Sequence, residues 1–180
     1  MSAPDLRMFL CLKLNRVISE TVTVSGKEQT KEIGYDANGN VTSETDVFGN
    51  TITYRYNAFN RLLAVVSPEW TTLATYTYDA AGNRVSETDA LGNVTTYKYN
   101  EAGRVTETKD GEGNVTITTY DALGNVKSVA DGEGHTTTYD YDEYGNLCFV
   151  TTEDETETEY TYDAAGNLKT QTDVEGHTTE

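Results

Sequence analysis

Carboxylates are the commonest side chains here that could do chemistry: 30 Asp and Glu stand against 13 Lys and Arg in 180 residues, a formal net charge of -17. Aspartates closely followed by glycine, such as Asp79 with Gly82 and Asp89 with Gly92, invite a calcium reading. Calcium-binding β-rolls need Gly-Gly-x-Gly-x-Asp at a nine-residue period, which this chain does not keep. A catalytic acid and base require two unlike environments, whereas these carboxylates recur in register. His135 and His177 stand where Asn50, Asn93 and Asn114 stand in equivalent stretches, so each is either a turn residue bonded locally or a metal ligand, and the equivalence favours the turn. Cys11 and Cys148 lie far apart with no CxxC, which supports neither a disulfide framework nor a zinc site. Repetition therefore argues against catalysis, and the chain reads as non-enzymatic, with no cofactor and no metal.

Tyrosine is the other candidate. The pairs Tyr54 and Tyr56, Tyr76 and Tyr78, Tyr97 and Tyr99, Tyr139 and Tyr141, and Tyr160 and Tyr162 recur with one residue between partners. In an extended strand such partners share a face. The ladder they form is either structural, aromatics in register burying one face of a thin sheet, or a platform for carbohydrate. The acidic excess argues against nucleic acid and anionic membrane as partners, both of which need clustered basic residues.

The elements that must position these residues come from a repeat. Tyr35, Tyr56, Tyr78, Tyr99, Tyr120, Tyr141 and Tyr162 are spaced 21, 22, 21, 21, 21 and 21 residues apart. Each repeat carries two turn signals of the form Asp-x-x-Gly-Asn, in which aspartate bonds local backbone and glycine supplies positive φ. The first glycine position reads Gly39, Asn60, Gly82, Gly103, Gly124, Gly145 and Gly166, and its one exception is asparagine, the other residue that tolerates positive φ. Between turns lie runs of about six residues rich in Thr, Val, Ile and Tyr with period-2 alternation, the strand signal. Six positions after the tyrosine stands an aliphatic residue, Val41, Leu62, Val105, Val126, Leu147 or Leu168, with Arg84 as the exception.

Departures from the pattern are few. Ser67-Pro68-Glu69-Trp70 replaces the second turn of one repeat, where the spacing stretches to 22, and proline suits the second position of a turn there. Trp70 with Leu63, Val65 and Val66 makes the most apolar patch, either a variable loop or packing plug or a contact point for a partner. Thr152 and Glu155 replace aspartate and glycine in another turn, and Glu153 to Glu159 reads as a guard against strand-edge pairing or as a calcium site, with Glu157 and Glu159 facing away from Tyr160. Met8 to Leu12 is too short to span a membrane and lacks a cleavage site, so neither membrane insertion nor a signal peptide is read. Asn15 to Thr21 echo Asn83 to Thr88 as a decayed repeat. The last strand ends at Glu180 before its tyrosine, as expected of a truncated array.

The segments YDAAGNRVSETDALGNVTTYKYNEAGRV, TYDALGNVKSVADGEGHTTTYDYDEYGNL and YTYDAAGNLKTQTDVEGHT resemble the tyrosine-aspartate (YD) repeats of the Rhs family, over about Ile33 to Glu180. The resemblance implies a β-hairpin strip that spirals into a hollow shell, enclosing a C-terminal toxin domain in bacterial toxins and supporting cell adhesion in the related teneurins. It also implies a secreted or surface location and a possible link with carbohydrate. The Asp-Pro self-cleavage region and the variable toxin segment of that family are not seen. At about 4.8 Å per strand, seven repeats of two strands give a sheet roughly 65 Å across, so a curved open sheet is expected. The reading is an all-β array of 21-residue antiparallel hairpins: 1–14 a non-repeat segment, 15–34 a degenerate repeat and 35–180 the YD array. Its partners would be the remainder of its own shell or an enclosed toxin domain.

Overall fold

Thr, Val, Ile and Tyr are stiff or bulky at Cβ and fit a pleated surface better than a helix, and every run of them between turn signals folds as a strand. The computed structural model describes residues 7–13, 16–24 and 27–180; Asn15 and the first six residues, part of the predicted decayed repeat and N-terminal segment, lie outside them. Among the described residues there are strands and turns and no helix. Two units are separated after Asn93.

The first unit holds β1 (Arg7–Lys13), β2 (Arg16–Val24), β3 (Lys27–Tyr35), β4 (Val41–Thr45), β5 (Thr51–Tyr56), β6 (Leu62–Val66), β7 (Thr72–Tyr78) and β8 (Arg84–Asp89). Each pairs antiparallel with the next in sequence. The second unit holds β9 (Val94–Tyr99), β10 (Val105–Lys109), β11 (Val115–Tyr120), β12 (Val126–Ala130), β13 (Thr136–Tyr141), β14 (Leu147–Thr151), β15 (Glu157–Tyr162), β16 (Leu168–Thr172) and β17 (Thr178–Thr179), again paired in sequence order. Within each unit such a meander places the turns that follow a tyrosine on one rim and the others on the opposite rim.

Register decides the faces, because directly opposed residues point the same way. In the first unit Tyr54 opposes Val65, Val65 opposes Ala74, and Tyr76 two residues on opposes Glu87. In the second, Thr118 opposes Val129, Val129 opposes Thr137, Tyr139 opposes Val150, Val150 opposes Thr158, and Tyr160 opposes Gln171. Tyrosines and small aliphatics thus share one face within each unit. The other face carries hydroxyl pairs, Thr77 with Ser86 at 2.6 Å and Thr119 with Ser128 at 2.6 Å, and exposed charges such as Arg55, Lys98 and Asp140. Glu157 and Glu159 lie on this second face, away from Tyr160.

Each tyrosine that ends a strand stands opposite the predicted aliphatic position: Tyr56 opposite Leu62, Tyr120 opposite Val126, Tyr162 opposite Leu168, and Tyr78 opposite Arg84. The register slips one residue there, so Leu63, Val85, Lys127, Cys148 and Lys169 are each the extra residue of a β-bulge. Bulges increase local twist.

Two expectations are corrected. The 22-residue spacing does not arise in the turn at Ser67-Pro68-Glu69-Trp70: that turn has the ordinary length, with Ser67 N–H donating to Thr71 O at 2.8 Å. The extra residue is Leu73, a bulge in β7 where the register shifts between Val65 opposite Ala74 and Val66 opposite Thr72. A sheet absorbs one more residue as a bulge without disturbing turn geometry. Nor is Trp70 a packing plug. It is 77 % exposed, while Val66 at 5 % and Ser67 at 9 % are the buried residues among those described.

Candidate functional site

Among the described residues the turns are one backbone device used fourteen times. In the first, Gly39 N–H donates to Asp36 O at 3.1 Å and Asp36 N–H to Asn40 O at 3.0 Å, a three-residue loop whose last residue needs positive φ. The aspartate side chain completes it: Asp36 Oδ1 accepts from the N–H of Gly39 and Asn40, and Oδ2 from Asn40 Nδ2 at 2.7 Å. Of the predicted turn residues, Gly39, Gly82, Gly103, Gly124, Gly145 and Gly166 have φ between 75° and 102°, and Asn60 has φ 61°. The pattern did not anticipate that Trp70 (φ 61°) and Glu155 (φ 59°) adopt the same conformation in the two irregular turns. For a bulky residue this is strained, by about 1 to 2 kcal/mol. The only signal was position, since each is the fourth residue of its turn.

These bonds set the electrostatics. Asn83 Nδ2, with backbone N–H groups behind it, holds the Asp79 carboxyl below the usual carboxylate range despite some desolvation, and Asn93 does the same for Asp89. His135 takes the asparagine role, its Nδ1 lying 2.8 Å from Asp131 Oδ2. His177 does likewise with Asp173 at 3.1 Å. Among the described residues no group of three or more His, Cys, Asp or Glu is arranged to hold a metal ion.

The ladder tyrosines, Tyr54, Tyr56, Tyr76, Tyr78, Tyr97, Tyr99, Tyr139, Tyr141, Tyr160 and Tyr162, are all half-buried. Some are pinned to the preceding hairpin through the hydroxyl: Tyr78 Oη donates to Leu62 O at 2.8 Å and Tyr162 Oη to Leu147 O at 2.9 Å, as do Tyr35 to Val17 O and Tyr120 to Val105 O. These four are spaced two repeats apart. Burial, then nearby Glu44, pushes the Tyr54 phenol up, and burial followed by Asp121 does the same to Tyr141.

Arginine joins neighbouring turns at the same spacing. Arg16 Cζ lies 5.6 Å from the Tyr35 ring centre, Arg61 Cζ 5.7 Å from that of Tyr78, and Arg104 Cζ 5.6 Å from that of Tyr120. Each guanidinium also occupies the space a Cβ would need on the next turn, at Gly39, Gly82 and Gly124. Where asparagine replaces arginine, the joint is lighter: Asn38 and Asn40 each donate to Asn60 Oδ1, at 2.9 and 2.8 Å. A hollow of about 790 Å³ is lined by Tyr160 and Tyr162 with Phe149 and parts of the turns 142–146 and 163–166.

Comparison with known proteins now bears on this arrangement. The family model "Teneurin YD-shell" matches residues 13–180. A crystal structure of TcdB2-TccC3 without its hypervariable C-terminal region shares 20% sequence identity at a TM-score of 0.77, over 94% of this chain and 11% of that one. A Photorhabdus luminescens Tc holotoxin pore carrying a TccC3 mutation shares 20% identity at a TM-score of 0.73, over 91% of this chain and 11% of that one. The chain thus spans about a tenth of the length of the structures it matches. No curated protein matches the sequence. Tyrosine-ended strands, paired turns and a family match running from residue 13 to the last residue agree: the chain belongs to the teneurin YD-shell family, as a structural YD-shell segment.

Proposed function

We propose that this segment forms wall in a shell that encloses cargo, a toxin domain in the toxin-like members, in a secreted or surface-exposed protein. On this reading residues 35–180 are the working array and 15–34 a degenerate repeat ahead of it, and no residue acts as a catalyst. The observation that carries it is the division of labour on the tyrosine face. In every second repeat, at Tyr35, Tyr78, Tyr120 and Tyr162, the phenol hydroxyl bonds a backbone carbonyl of the preceding hairpin, so these tyrosines are spent on joining the wall.

Accessibility tests the enclosing role. In the full-length gene product, with Cys11 and Cys148 replaced by serine, single cysteines are placed at Val129 on the tyrosine face and at Thr119 on the other. A bulky maleimide is expected to label one face and spare the other. Equal labelling of both would overturn enclosure.

A second reading, carbohydrate binding along the ladder, is favoured by the hollow beside Tyr160 and Tyr162. Calorimetric titration with cell-wall and cell-surface glycans decides it. Heat that disappears in Tyr160→Ala supports the reading, and no heat with any glycan removes it.

A further inference from the structure

We propose that His135 is a pH-dependent clasp between two neighbouring hairpin turns: protonated, it holds the turn at 131–135 to the turn at 152–156 through Glu153.

At the fifth turn position an asparagine such as Asn114 or Asn146 gives its side-chain N–H to the aspartate of its own turn, and the contact closes locally. His135 keeps that contact and has a second nitrogen to spare. Its Nδ1 is 2.8 Å from Asp131 Oδ2 and 3.7 Å from Glu133 Oε2, while Nε2 is 3.4 Å from Glu153 Oε1 on the next turn of the same rim. Glu153 belongs to the turn where Thr152 and Glu155 replace aspartate and glycine, so two departures from the repeat meet in space.

The argument rests on the count of protons. Both ring nitrogens face carboxylates, yet a neutral imidazole has one N–H, and with that donated to Asp131 the other nitrogen turns a lone pair toward Glu153. Only the imidazolium turns an N–H toward both, hydrogen-bonded to Asp131 and ion-paired with Glu153. The surroundings are otherwise acidic: Asp131 and Glu133 on its own turn, and Glu153 and Asp154 with Glu155 beside them on the next. The preceding turn borders Asp131 and Glu133 and adds Asp110 and Glu112, with Lys109 at the end of β10. The bond to Asp131, then the charges of Asp131 and Glu153, raise the His135 pKa. A raised folded-state pKa gives stabilisation that is full below the unfolded value of about 6.5 and is lost as pH rises through the folded value. Carboxylate protonation near pH 4 sets the lower limit, so the clasp is fully closed between roughly pH 4.5 and 6.5 and opens as pH rises through the raised His135 value.

Imidazole titration by NMR and amide exchange test it in the intact chain. In Glu153→Gln the His135 midpoint is expected to fall by a few tenths of a pH unit. After correction for intrinsic rates, exchange at the Thr152 and Glu155 amides should be about two- to threefold slower near pH 5.5 than near pH 7.5. His135→Asn, which restores the common turn residue, should abolish the difference, and high salt should shrink it. An unchanged His135 midpoint in Glu153→Gln, or exchange that ignores pH in the wild type, would overturn the clasp.

Discussion

On the rim that follows the tyrosines, Arg61 covers the Tyr78 ring and fills the space beside Gly82, and Arg104 does the same at Tyr120 and Gly124. On the opposite rim, Gly49, Gly92, Gly134 and Gly176 have nothing within 4 Å of where a Cβ would stand. The backbone turn is the same on both. What differs is the residue leaving the turn: an arginine there reaches the next hairpin, while an asparagine folds back on its own aspartate, Asn40 alone of those named also reaching across, to Asn60. Gly145 and Gly166 follow turns that end in Asn125 and Asn146, and they too are open. One loop therefore serves as a joint or as a mere reversal, depending on one side chain.

The open rim also shows how free the loop centre is. In the first unit its tips are apolar and exposed, Phe48 at 83 % and Leu91 at 88 %, and Trp70 next to the tip of its own turn is exposed too. In the second unit Glu112, Glu133, Asp154 and Glu175 stand in the corresponding loops. The first, fourth and fifth residues hold the turn, and the second and third are left to surface chemistry.

Acid should erase the contrast between rims altogether, and is the largest effect expected. Carboxyls such as Asp46, Asp110 and Asp163 are lowered chiefly by the bonds from Asn50, Asn114 and Asn167. A depressed folded-state pKa gives stability that is present above the unfolded value and lost as pH falls through the folded one. The melting temperature should therefore drop steeply below about pH 4, and a flat profile to pH 2 would refute the role of the aspartates.

Next in size, Gly92→Val should cost about 1 to 2 kcal/mol for the left-handed backbone alone. Gly124→Val should cost about 1 kcal/mol more, because the new side chain also displaces Arg104 from Tyr120. Equal melting points for the two variants would mean the packed rim is no better joined than the open one. Trp70→Gly should stabilise by about 1 kcal/mol by relieving φ 61°, visible as a higher denaturant midpoint. Smallest is Arg61→Ala, about 0.5 to 1 kcal/mol, with poor rescue by lysine, which lacks the flat guanidinium.

Much of this was readable in the chain. The period, the two turns per repeat, the phase of the tyrosines and the all-β class follow from local rules, since aspartate, glycine and asparagine act within five residues and side chains alternate along a strand. Less readable were the joints. Arg61 and Arg104 sit at the same turn position and were visible, but their meeting with Tyr78 and Tyr120 depends on how far apart successive hairpins lie. The sequence does not locate the extra residue of the 22-residue spacing, because a bulge and a longer turn consume sequence identically. Only the pairing of Val66 with Thr72 distinguishes them.

Sequence alone determined where the chain reverses and which side chains share a face, because both are set by backbone preferences of a few neighbouring residues. Tertiary structure alone decided which turns are tied together, where the surplus residue goes and that His135 meets Glu153. The joints and the meeting of His135 with Glu153 link residues on successive hairpins, and the surplus residue is fixed by strand register; these come from strand spacing and twist, which no short stretch of sequence encodes.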